Sequence, residues 1–99
     1  MRERPELDPD VDDHAPTADV ITAYDEAHFI TYLRLLDAEQ EGADWQDVSM
    51  VVLHRDPIAE AERTRSCWCS HLDRARWMTS TGYRKLLERA AAKARPKVR

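Results

Sequence analysis

DWQDVSMVVLHRDPIAEAERTRSCWCSHLDRARWM, residues 44–78, decides the fold. Asp44 opens it, and a second carboxylate, Asp47, follows three residues on, as at a helix N-terminus. Trp45, Val48, Val51 and Val52 then share one face at helical spacing, which favours helix over strand despite the β-branched pair. The stretch stops at His54–Asp56, before Pro57. Asp56-Pro57 is an N-cap followed by proline at the first helical position. It predicts a longer helix reaching about Met78, roughly 33 Å by helical rise. Ala61, Trp68, Leu72 and Ala75 mark its buried stripe, with the Arg65 stem lying along the same stripe. A short helix, a turn at His54-Arg55-Asp56 and a longer helix form a helix-turn-helix arrangement.

Upstream, Thr22 with Asp25 three residues on has the form of a capping box. Phe29, Ile30, Leu33 and Leu36 recur at helical spacing, with Tyr32 and Leu35 flanking them. Gly42 is the expected stop, since glycine takes the left-handed conformation past a last turn. Downstream, Thr79 or Ser80 can cap a fourth helix with Tyr83, Leu86, Leu87 and Ala90 on one stripe. The expectation is therefore an all-α, helix-turn-helix-like bundle of about four helices spanning residues 21–94. Residues 1–20 form a disordered acidic arm, rich in Asp and Pro and poor in large apolar groups. Residues 95–99 form a basic tail that frays.

Charge divides the chain. Its net charge is -4, yet residues 1–62 carry 17 acidic and 4 basic residues, and residues 63–99 carry 11 basic and 2 acidic. Such a split can steer a partner or let one end fold over the other. No apolar run is long enough to span a membrane, and the N-terminus has no apolar secretory segment. A cytoplasmic protein with reduced thiols is expected.

Little in the sequence points to catalysis. No glycine-rich phosphate loop or nucleophile elbow is present. Cys67-x-Cys69 with His71 invites a metal reading, but residues two apart on a helix point in nearly opposite directions. Free thiols, no metal, no cofactor, no small-molecule ligand and no enzyme activity are the expectations. Trp45 and Trp68 are expected in the core, and Trp77 is expected to pack on Tyr83.

Tyr32-Leu33-Arg34-Leu35-Leu36-Asp37 leading to Gly42-Ala43-Asp44-Trp45, and Gly82-Tyr83-Arg84 with Leu86-Leu87, resemble a small helix-turn-helix variant similar to the RovC-type DNA-binding domain. The resemblance covers residues 22–87. Its stand-alone members are the QseM-like antiactivators of integrative and conjugative elements. The resemblance implies protein partners: a LuxR-type quorum-sensing activator and an activator of excision carrying a related domain. It further implies repression of excision and conjugative transfer.

Glu60 and Glu62 stand early in the expected third helix, where a DNA-reading helix meets phosphate. That placement makes a protein-binding antiactivator the first expectation and a DNA-binding transcriptional regulator the second. Partner contacts are expected from exposed residues around the third helix and its junction with the fourth: Arg63, Arg74, Arg76, Trp77 and Arg84.

Overall fold

The computed structural model describes residues 8–82 and residue 84. Of the expected fourth helix only the start and Arg84 are among them, and Thr79 and Ser80 do not cap it: they continue the preceding helix, with their hydroxyls donating back to Arg76 O. The body of that helix, the basic tail and the first seven residues of the arm lie outside the described residues. Among the described residues there are four α-helices and no strand: α1 (Ala23–Ala27), α2 (Phe29–Gln40), α3 (Trp45–Val52) and α4 (Ala61–Trp77). A π-helical turn, Met78–Gly82, continues α4.

The punctuation follows the local chemistry. The Thr22 hydroxyl accepts from the Asp25 amide, and the Asp25 carboxylate accepts from the Thr22 amide, closing the capping box. At the other end of α2, Gly42 adopts φ +75°. The Gly42 amide donates to Glu39 O and the Ala43 amide to Ala38 O, which is the Schellman pattern.

Two boundaries differ from the sequence reading. The first helix divides at His28, whose backbone leaves the helical region at φ -117° and ψ 21°. One His28 ring nitrogen lies 2.7 Å from Tyr24 O and the other 2.8 Å from Asp10 O, so its side chain is committed at the break. The long helix begins at Ala61, not at Pro57. Asp56 does cap, accepting from the Ile58 and Ala59 amides, but Glu60 at φ -135° and ψ 65° interrupts the turn before α4 starts. The connection between α3 and α4 is therefore residues 53–60, longer than the expected three-residue turn. His54 takes a left-handed φ of 59° there.

Packing joins α2 to α4, with α3 against both. Leu35, Val48, Val52, Leu53, Cys67 and Leu72 form one core cluster with Val11; Tyr32, Ala75 and Met78 form a second. The buried stripes are turned relative to the apolar ones. On α2, Thr31, Tyr32 and Leu35 are buried while Leu33 is 56% exposed. On α3, Val48, Ser49 and Val52 are inside and Val51 is 61% exposed. On α4, Thr64, Cys67, His71 and Arg74 join Leu72 and Ala75 inside, whereas Ala61 is exposed. Polar groups thus supply much of the interior, and the cause lies in what they bind.

The described part of the acidic arm, residues 8–20, contains no helix or strand. It nevertheless lies on the helices, with Val11 and Ala15 buried. The Asp12 carbonyl faces Cys67 Sγ at 3.5 Å, and the Ala15 amide donates to Ser70 Oγ.

Candidate functional site

Two arrangements of charge organise the surface and the interior. The interior one centres on Asp25, with no exposed surface, and Arg74, 5% exposed. Arg74 Nη2 donates to Asp25 Oδ2 at 2.7 Å and Nε to Oδ1 at 3.0 Å, the two-pronged geometry that a guanidinium makes with a carboxylate. Tyr32 Oη donates to Asp25 Oδ1 at 2.7 Å. Two further Arg74 donors reach Ala18 O and Val20 O, and Trp77 stacks 3.9 Å from the guanidinium. Burial pushes the Asp25 carboxyl up, but Arg74, the Thr22 amide and Tyr32 together outweigh it and hold the group below the usual carboxylate range.

Beside this pair runs a chain of polar contacts. The Asp12 amide donates to Tyr24 Oη. Tyr24 Oη lies 2.6 Å from His71 Nε2, and His71 Nδ1 lies 2.8 Å from Cys67 O. The carbonyl can only accept, so Nδ1 carries the proton and Tyr24 donates to Nε2. Burial lowers the His71 pKa and keeps the ring neutral. Burial likewise pushes the Tyr24 hydroxyl up to about 12 and raises the Cys67 thiol.

The surface arrangement lies where α4 begins. Arg55 Nη1 and Arg63 Nε converge on Asp13 Oδ1 at 2.7 and 2.9 Å. Arg34 Nη1 and His54 Nε2 converge on Asp8 Oδ1 at 3.2 and 2.9 Å. Four basic side chains from α2, the connection and α4 thus close on two carboxylates of the arm. Glu60, whose carboxylate lies 3.2 Å from Arg63 Nη1, borders them.

The five residues expected to form one binding surface do not. Arg63 belongs to this cluster. Arg74 is buried, contrary to expectation, because the uncompensated Asp25 charge would otherwise sit in the interior. Arg76 is exposed, pairs with Glu39 and lies 3.8 Å from Asp73. Trp77 is half-buried over Arg74 and against Gly82, where an added Cβ would stand 2.6 Å from the indole ring; Tyr83, its expected neighbour, lies outside the described residues. Arg84 is exposed. Arg63 and Arg76 are about 20 Å apart along α4 by helical rise. Arg34, His54 and Arg55 were missed as site residues. The available signal was that Arg34 and Arg55 are two of only four basic residues in the acidic half.

The outer face of α4 is mixed, with Glu62, Arg65, Asp73 and Arg76 all exposed. Arg65 covers Trp45 and Trp68, 4.8 and 5.4 Å from their ring centroids. Cys67 is buried, Cys69 is half-buried, and both are free. No group of three potential metal ligands exists among the described residues, and no helix among them is long and apolar enough to cross a membrane.

An all-helical scaffold that packs a short α3 against a long α4 is a helix-turn-helix-like bundle. Residues 3–88 match the RovC family described as "T6SS, Transcription factor, DNA binding domain", and the chain belongs to that family. No curated protein matches. The family is a class of transcription-factor domain and not of enzymes, and it reverses the order of the two expectations by putting DNA ahead of a protein partner.

Proposed function

We propose that the chain acts as a DNA-binding transcriptional regulator that engages duplex phosphates with the cations at the α4 N-terminal end. Membership of a DNA-binding family carries this reading. The gathering of Arg34, His54, Arg55 and Arg63 from three separate elements supports it. Beyond Tyr83 the sequence adds Arg84, Lys85, Arg89, Lys93, Arg95, Lys97 and Arg99, a second source of phosphate contacts. Contacts of this kind set position and affinity, while sequence is read at base edges.

The test is fluorescence anisotropy of the full chain with short duplexes across a salt series. Phosphate contacts predict that affinity falls linearly on a log–log plot as salt rises, with a slope of about -0.9 for each net counterion released. Absence of binding at low salt would overturn the reading.

A second reading keeps the scaffold and changes the ligand. An antiactivator would bind a LuxR-type quorum-sensing activator and an activator of excision, and so repress transfer of a mobile element. The exposed Glu60 and Glu62 at the start of α4 favour it, because they oppose a polyanion. Co-purification of either activator by a chain that leaves DNA unbound would support it.

A further inference from the structure

Asp8 and Asp13 are bound in the same way. Each presents one carboxylate oxygen to two donors, and the donors come from different elements: Arg34 of α2 with His54 of the connection, and Arg55 of the connection with Arg63 of α4. One anionic oxygen held between converging basic side-chain donors is also how proteins grip a nucleic-acid phosphate. We infer that Asp8 and Asp13 stand in for backbone phosphates, so that the acidic strap of residues 8–13 masks the protein's own phosphate clamp. The inference rests on the DNA-binding reading above.

The construction suits exchange. Side-chain exposures are 57% for Asp8, 43% for Asp13 and 52% for Arg63, so an incoming anion can reach the pairs. Exposed pairs of this kind hold weakly. Arg55 is only 15% exposed and also donates to Val11 O at 2.7 Å, so it stays in place when a carboxylate leaves. Val11 and Ala15 are buried, and Arg74 holds the carbonyls of Ala18 and Val20. The strap backbone is therefore seated from within, and exchange takes place at the Asp8 and Asp13 side chains. Each carboxylate released to solvent gathers a counter-cation, which offsets one cation that the DNA gives off. The masked protein should accordingly show a shallower salt dependence than an unmasked one.

The experiment compares the full chain with its Asp8→Asn/Asp13→Asn variant, using a labelled duplex in a salt series. The variant is expected to bind on the order of tenfold more tightly at low salt, with a slope steeper by about 2. Adding Arg63→Ala to it should remove most of the gain. Should the variant prove poorly folded by circular dichroism, amide NMR of the wild-type chain during duplex titration replaces it, and the signals of residues 8–13 should shift as DNA binds. Equal affinity and slope for wild type and variant, or unmoved strap amides in a DNA-bound chain, would overturn the masking while leaving DNA binding intact. Failure of both proteins to bind DNA would overturn the two readings together.

Discussion

Asp25–Arg74 and Asp13–Arg55–Arg63 use the same chemistry at opposite depths. In the first, both side chains are almost wholly enclosed, at 0% and 4% exposure, and every nitrogen of the guanidinium is bonded. In the second, solvent reaches Asp13 and Arg63 freely. The contrast separates a pair fixed into the fold from one open to exchange, and burial makes the difference. Neutralising one partner of the enclosed pair strands a charge in the interior. Neutralising one partner of the open pair lets water take its place.

The largest expected effect follows from breaking the enclosed pair. Arg74→Ala leaves Asp25 buried without its cation and removes the donors to Ala18 and Val20. A loss of about 3–5 kcal/mol is expected, measured by urea denaturation followed by circular dichroism. Destabilisation no larger than that of an exposed arginine would equate the two regions.

A pH series sharpens the comparison next. The His71 pKa is lowered from 6.5 by burial, so the unfolded chain takes up a proton that the folded chain refuses. Its contribution to stability is present above about pH 6.5 and is lost as pH falls toward the folded value. The melting temperature should therefore fall between about pH 6.5 and 5, with a smaller slope in His71→Gln. Asp25 has the opposite timing. Its folded pKa lies below 3.8, so its contribution survives that interval and is lost only as pH falls through the folded value. A melting temperature flat from pH 7 to 5 would contradict the placement of His71.

Asp13→Asn is expected to have the smallest effect on stability. Arg63, followed by Arg55, holds the Asp13 carboxyl below its usual range, yet the pair is open to solvent. The melting midpoint at pH 7 should stay within measurement error of wild type. A clear drop would mean that the strap is a structural member and not an exchangeable one.

Much of the fold was legible wherever a local signal had a single outcome. Thr22 with Asp25 could close only as a capping box, and Gly42 was needed for its positive φ. Asp56-Pro57 was legible as a cap but not as the start of α4, because the signal fixes Ile58 and Ala59 and says nothing about the backbone at Glu60. The break at His28 was hidden for a similar reason: it depends on Asp10, far away in sequence. The stripes of α2, α3 and α4 were displaced because periodicity counts apolar residues. It cannot count Thr64, His71 or Arg74, which enter the core through long-range partners. The same blindness placed Arg74 on the surface and hid Arg34, His54 and Arg55, whose convergence requires three elements and a strap. Residues 8–20 looked unable to pack because their apolar content is low. Pairing of their carboxylates with arginines and the burial of Val11 and Ala15 supply what composition did not show.

The tryptophans divide the observable signal unevenly. Trp45 and Trp68 flank Arg65 where α3 meets α4, and Trp77 sits over the enclosed arginine, while residues 8–20 contain none. Ultraviolet emission will therefore register loss of helix packing and stay silent as the strap changes partners. A duplex titration that leaves emission constant is compatible with full occupancy of the clamp, and labels for that event belong near Asp8 and Asp13.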